Sequence, residues 1–121
     1  MRILVCGDRN WNDWKYLEAA LDIINDATPI SVIIEGEAKG ADSFARNWAE
    51  SRNIPVEKYP AEWKRWGHAA GPIRNKQMIE EGKPDQVIAF HSDITNSKGT
   101  KNMVELATKN NIPVFILEGR K

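Results

Sequence analysis

The chain has 121 residues, with 17 Lys plus Arg balanced by 17 Asp plus Glu, two His and one Cys, a size that suits a single domain around one core. Zero formal net charge removes the overall basic bias of non-specific DNA or anionic-membrane binders and leaves only a local basic patch open. One cysteine excludes an internal disulfide and a multi-cysteine zinc site, and His68 and His91 add no metal-ligand spacing, so neither a metal nor another cofactor is expected.

The longest apolar runs are about five residues, against the roughly 18 to 20 of a bilayer span. Met1-Arg2 followed by 3–6 is too short for a signal-peptide core, which sets the cytoplasm as the expected location and the membrane outside the expected partners. Apolar residues cluster at regular spacing despite 28% charged residues and a mean hydropathy of -0.53, the pattern of a folded chain. Nothing reads as a linker, a repeat or a low-complexity stretch, so residues 1–121 are taken as one domain.

In chain order, the β-branched-rich run 3–6 predicts a first strand, closed by Gly7. Leu17, Ala20, Leu21 and Ile24 then follow the i, i+3, i+4, i+7 spacing of a helix with one apolar face. Run 30–34 predicts a second strand, and Ala41, Phe44, Ala45, Trp48 and Ala49 a second helix. Run 54–56 predicts a third strand. From 71 to 81 the pattern is helical but unusual, since Pro72 suits a first turn while Arg74, Asn75, Lys76 and Gln77 interrupt the apolar stripe. Runs 87–90 and 114–117 predict the last two strands, on either side of a helix carrying Thr100, Met103, Val104 and Ala107.

Five strands alternating with four helices make an α/β architecture, with right-handed crossovers giving a parallel sheet covered on both faces. The expected strand order is 3-2-1-4-5, which puts strands one and four at the point where the order reverses. Ligands bind there, outside the carboxyl ends of the strands. The rule selects four loops, 7–11, 35–42, 59–71 and 91–100.

In the first loop, Gly7-Asp8-Arg9-Asn10-Trp11 stands where a dinucleotide enzyme carries Gly-x-Gly-x-x-Gly, and that fingerprint is absent. What remains favours anions: Gly7 for a tight turn, Arg9 as a planar fork for phosphate, and Trp11 to stack on a base. The alternative is that Arg9 pairs with Asp8 or Asp13 and Trp11 covers the core edge. In the second loop, Glu35-Gly36-Glu37-Ala38-Lys39-Gly40-Ala41-Asp42 leads straight into a helix whose free N–H groups suit a phosphate. Gly40 keeps that approach free of a side chain, Glu35 is placed to accept from sugar hydroxyls, and Asp42 either binds ribose or caps the helix.

The third loop mixes Trp63, Lys64, Arg65, Trp66 and His68 with Gly67 and Gly71, a set that suits a purine, or else a crossover anchored by buried tryptophans. Arg74 and Asn75 follow on a first turn aimed at the sheet edge. The fourth loop places Ser97-Lys98-Gly99-Thr100 before the last helix, again small residues and a base at a helix start, where Thr100 also serves as a cap. No nucleophile-base pair and no Gly-x-Ser-x-Gly elbow is present.

Three strings in order, Gly7-Asp8-Arg9, Glu35-Gly36-Glu37-Ala38-Lys39-Gly40-Ala41-Asp42 and Ala70-Gly71-Pro72-Ile73-Arg74-Asn75-Lys76, resemble the SLOG superfamily of Rossmann-like proteins, and within it the small bacterial and phage branch related to YspA. The resemblance runs from Arg2 to about Phe115 and implies a Rossmann-like three-layer α/β/α sandwich that binds a nucleotide or nucleotide-derived ligand, such as an ADP-ribose-type signal. Relatives implied with it are the DNA-processing protein DprA, and the LOG-type phosphoribohydrolases. The LOG-type Pro-Gly-Gly-x-Gly-Thr-x-x-Glu motif is only partly matched: Gly99-Thr100 are kept, the acid position is Met103, and Glu105 lies two residues beyond it. Glu35 and Asp93 are the candidate catalytic acids if the chain is an enzyme.

The reading is therefore a binding cleft formed by Gly7, Asp8, Arg9, Trp11, Glu35, Gly36, Lys39, Gly40, Ala41, Asp42, Trp66, Gly71, Arg74, Asn75, Lys98, Gly99 and Thr100. Its expected partner is a nucleotide-derived small molecule, and homo-oligomerisation stays open. Alternatives are an N-glycosidase acting on a nucleoside phosphate and DprA-like single-stranded nucleic-acid binding, the latter disfavoured by the neutral charge.

Overall fold

A computed structural model describes residues 1–119. Five strands form one all-parallel sheet in the order β3-β2-β1-β4-β5, as the alternation of elements predicts. The strands are β1 (Arg2–Gly7), β2 (Val32–Glu35), β3 (Val56–Lys58), β4 (Gln86–Phe90) and β5 (Val114–Leu117), and the helices are α1 (Trp14–Ala27), α2 (Ala41–Ser51), α3 (Trp63–Trp66), α4 (Ala70–Glu80) and α5 (Gly99–Lys109). Among the described residues no helix is long and apolar enough to cross a membrane.

The central strand explains the layering. Ile3, Leu4 and Val5 are all buried, and because side chains alternate along a strand they serve two different cores. Ile3 and Val5 pack with Leu17, Leu21, Ala45 and Trp48 from α1 and α2. Leu4 and Cys6 pack on the other face with Met78, Ile79, Met103 and Ala107 from α4 and α5. A run buried on both faces has to be apolar at every position, which is why the strand reads as continuous rather than alternating. The α1/α2 layer is further tied by Asp22, whose Oδ1 accepts from Trp48 Nε1 at 2.9 Å and whose Oδ2 pairs with Arg52 Nη2 at 2.9 Å.

Three boundaries differ from the sequence reading, each for a local reason. Run 54–56 yields strand only from Val56, because Ile54 N–H closes the end of α2 on the Ala49 carbonyl and Pro55 has no N–H to give to a ladder. Ile30 lies before β2, its N–H held by the Asn25 Oδ1 at 2.8 Å, yet its side chain still reaches the core. Loop 59–71 contains the short helix α3 and a 3-10 turn (Gly67–Ala69), an insertion whose residues 62–69 are all exposed. With no apolar stripe to bury, that helix has no periodic signal.

Candidate functional site

The carboxyl ends of β1 and β4 carry loops 8–13 and 91–98, and these diverge to opposite faces of the sheet. The gap between them is widened by the start of α2 on one side and of α4 and α5 on the other, leaving a cleft of about 640 Å³. That lies within the roughly 300–1,000 Å³ of small-molecule sites.

Glycines bring the loops together. A side chain on Gly7 would overlap the Phe90 carbonyl and lie 2.8 Å from Ala41 Cβ, so the end of β1 can touch β4 and α2 only as glycine. Gly40, with φ of 73°, has its Cα pressed on the preceding loop: a Cβ there would overlap the Asp8 carbonyl oxygen and lie 2.6 Å from that of Arg9. Gly36 has the same role toward Arg74, whose Nη1 occupies the place a Cβ would need and donates to the Gly36 carbonyl at 2.7 Å. Gly36 and Gly40 are therefore packing glycines, needed by neighbouring protein atoms rather than by a ligand.

Asp42 stitches the β2–α2 loop. It is not a helix cap; its Oδ2 accepts from Gly36 N–H at 3.0 Å and Ala38 N–H at 3.3 Å, curling the loop back over the first turn of α2. Among the described residues its other oxygen makes no hydrogen bond, and Asp42 lines the cleft. Burial raises the Asp42 carboxyl above its ordinary range, while the Arg74 guanidinium and the two N–H donors pull it back. Beside it, burial pushes the Cys6 thiol far up, which makes it an inert part of the cleft floor.

Arg74 is the hub of the opposite wall. Its Nε donates to Asn75 Oδ1 at 3.0 Å, and the Asn75 amide in turn donates to Asn102 Oδ1 at 3.0 Å and to the Gly99 carbonyl at 3.1 Å. One amide thereby joins the starts of α4 and α5. Nη2 makes no hydrogen bond among the described residues, and Arg74 lines the cleft. Arg9 and Lys98 line the rim, both exposed and neither in an ion pair among the described residues, so the alternative pairing of Arg9 with Asp8 or Asp13 is not formed. Asp8 instead accepts from Asn10 N–H at 2.8 Å. His91 accepts the Asp93 N–H on Nδ1 at 2.9 Å, which leaves Nε2 to carry the proton of the neutral ring.

Residues 1–66 match the YAcAr family, the YspA, cpYpsA-related SLOG family. The Gene 61 protein of Mycobacterium phage D29 is 34% identical to this chain over 120 residues, covering 94% of both. The chain belongs to this SLOG family. The family match holds the first two glycine loops and Trp63, whereas Arg74, Asn75 and the α5 start lie beyond residue 66 and are spanned by the similarity to the phage protein.

Of the sequence-derived candidates in this SLOG chain, the cleft brings together Gly7, Asp8, Arg9, Asp42, Gly71, Arg74, Asn75, Lys98, Gly99 and Thr100. It does not include Trp11, which is buried against Tyr16 and Phe90 with its Nε1 donating to the Asp13 carbonyl at 3.0 Å, and is the core-edge residue of the alternative reading. Trp66 is also outside, with its ring covered by Arg65 at 4.7 Å; Trp63 is the tryptophan that faces the cleft, beside Gly71. Lys39 is exposed away from the cleft, Ala41 is buried in the core, and Asp93 faces solvent, accepting from Asn96 Nδ2 at 2.9 Å.

Glu35 is the largest displacement from expectation. Strand alternation sends it to the same face as Ile33, under α2, where it is wholly buried. Its Oε2 accepts from Glu37 N–H at 2.6 Å, and its Oε1 has no hydrogen bond, the nearest cation being Arg46 Nη1 at 3.6 Å. Burial raises its carboxyl from 4.5 to about 7, against the opposing pull of the Glu37 N–H. A raised acid binds its proton more tightly folded than unfolded, so its contribution is fully favourable below pH 4.5 and is lost as pH rises to about 7. Glu35→Gln is expected to flatten the stability-versus-pH curve between those values, where the slope from one such group reaches at most about 1.4 kcal/mol per pH unit. Denaturation midpoints at pH 5 and pH 8 check this; parallel curves for the two proteins would remove Glu35 as the source.

His91 and Asn102 are cleft residues that no motif marked, and Trp63, His68 and Ser97 are cleft residues that stand on the two loops singled out from the sequence without being taken into the site set. His91 had a signal, as the first residue after β4 at the switch point. Asn102 lies one turn after Gly99, and helical spacing from a known loop would have found it.

Proposed function

We propose that the cleft binds a phosphorylated nucleoside or nucleotide-derived signal without cleaving it. The reading rests on one arrangement: Arg9, Arg74 and Lys98 converge on a pocket whose side wall is Trp63 and whose floor carries an unpaired Asp42 oxygen. Cations suit phosphate, the free carboxylate oxygen accepts from a sugar hydroxyl, and the indole offers a stacking face for a base. The position at the strand-order reversal and membership of the SLOG family support the same ligand class.

Binding without turnover is the expectation because the acid of the LOG-type motif is missing and the two candidate catalytic acids lie elsewhere. Met103 occupies the acid position of the LOG-type motif and is fully buried in the α4/α5 core. Glu105 is exposed, and Glu35 and Asp93 are outside the cleft. Losing one positioned acid costs about 100- to 10,000-fold in rate. Incubation with nucleoside monophosphates is expected to release no base, while calorimetry with the same compounds shows saturable binding. Turnover of about 1 per second or faster, the low end of ordinary enzymes, would overturn the binding reading, and mass spectrometry of molecules carried through purification would identify the natural ligand.

A further inference from the structure

The two edges of the sheet are protected unequally. β3 closes one side and carries Glu57 and Lys58, with Glu57 tied to Arg2 Nη2 at 2.7 Å. Charges of this kind keep an edge strand from pairing with another chain. β5 closes the other side with Val114-Phe115-Ile116-Leu117, an apolar row without a charge. Pro113 does not guard it: the Pro113 carbonyl accepts from Val87 N–H at 2.9 Å, so its missing donor is turned toward β4 rather than outward. The Leu117 carbonyl accepts from His91 N–H at 3.1 Å in the same way. Since backbone groups alternate sides along a strand, the N–H and C=O of Val114 and Ile116 point away from the sheet, and among the described residues they meet no partner.

The side chains at this edge are bare as well. Phe115 is 49% exposed and Ile116 41%, on opposite faces of the sheet, and Ile23 of α1 is 70% exposed. Phe115 and Ile23 line a groove of about 420 Å³ between α1 and β5, together with Tyr16, Ala19 and Ala20. It lies apart from the cleft and shares no residue with it. We propose that β5 pairs antiparallel with β5 of a second copy of this chain, about a two-fold axis at Phe115, joining two sheets into one. Identical strands run antiparallel are complementary to themselves, which favours a second copy as the occupant. Val114 then exchanges both hydrogen bonds with Ile116 of the partner subunit, using every outward group of the row. Phe115 stands opposite its own counterpart at a non-hydrogen-bonded position, where Cβ atoms lie about 4.5–5.5 Å apart. With no charge in the row, no like charges are opposed. Stable interfaces take about 800 Å² from each partner. The short ladder alone falls below that, but joining the sheets also brings α1 beside its copy on one face and α5 beside its copy on the other, so that Ile23, Phe115 and Ile116 are covered together. The inference is independent of the nucleotide reading.

Size exclusion with light scattering on the full chain, from micromolar to hundreds of micromolar, tests it. A mass near twice 13.7 kDa is expected at the upper end. Phe115→Lys opposes two like charges at the axis and is expected to raise the dimer dissociation constant roughly 100-fold, and Ile23→Lys about tenfold. Both positions are exposed, so circular dichroism spectra are expected to match the parent. Phe115→Cys is expected to give a disulfide-linked dimer on oxidation with diamide, whereas Ile73→Cys, exposed on α4, stays unlinked; the native Cys6 is buried. A monomer at every concentration, a dimer that neither lysine substitution weakens, or a dimer that forms no disulfide through position 115 each overturns the pairing. So does a monomer that instead takes up an unrelated extended peptide along β5.

Discussion

Gly40→Ala is expected to destabilise the fold by about 2 to 5 kcal/mol, combining the cost of a positive φ on a residue with a side chain and the cost of overpacking. The new methyl group would meet the backbone carbonyls of Asp8 and Arg9, which cannot swing aside as the end of a side chain can. Those carbonyls are not idle: the Asp8 oxygen accepts from Trp11 N–H at 3.0 Å and Ala41 N–H at 3.2 Å, joining the β1–α1 loop to the first residue of α2. Separating the loops would break that bond and open the side of the cleft that carries Arg9 and Asp42. Urea denaturation measures the stability term. A loss below about 0.5 kcal/mol, the usual size for a harmless surface change, would show that the two loops are not held in contact in solution.

Arg74→Ala is expected to weaken a phosphorylated ligand by about 1.5 to 3 kcal/mol, the range for hydrogen bonds involving a charged group. The sequence alone suggests little cost to the fold, and the hydrogen bonds change that expectation. The Gly36 carbonyl and Asn75 Oδ1 lose their donors, and the buried Asp42 loses the guanidinium that offsets its desolvation. A stability loss of about 1 kcal/mol is expected as well. Without Arg74 the Asp42 carboxyl rises further above its unfolded value, so the deficit should grow as pH rises from 5 to 8. Arg74→Lys keeps a charge but not the fork that spans Gly36 and Asn75, and should recover part of the affinity and little of the stability. Calorimetry on both variants with AMP, beside melting curves at the two pH values, separates the effects. An unchanged affinity in the alanine variant would leave Arg74 as a loop clamp alone.

The two arginines differ in how far each is committed to the protein. Arg9 makes no ion pair among the described residues, so its expected contribution is to affinity and is screened by salt, as for any exposed charge. Arg74 serves structure and ligand at once, and a network of that kind rigidifies a site when every member is satisfied. Asn75, buried with both ends of its amide bonded, extends that rigidity to α5.

The runs of β1, β2 and β4 were legible because a strand buried on both faces must be apolar at each position, and four helices were legible because one buried face repeats every three to four residues. From alternation of the two, handedness and the switch-point rule lead to the sheet order and to the loops at its carboxyl edge. The sequence by itself thus determined the architecture, the end of the sheet where the cleft opens, and most cleft-facing residues that stand directly on those loops, including Arg9, Asp42, Arg74 and Thr100. What it could not determine was the direction of individual side chains within a loop. Glu35 was turned under α2 by the pleat of its own strand, and Trp11 was drawn into the core by Tyr16 and by Phe90, the latter distant in sequence. Trp63 rather than Trp66 faces the cleft because α3 is seated on Gly71, a contact with no periodic trace. The glycines follow the same division: that Gly36 and Gly40 must be glycine is legible locally, but that they make room for Arg74 and for the Asp8 and Arg9 carbonyls depends on three loops meeting, which only close packing of the tertiary structure decides.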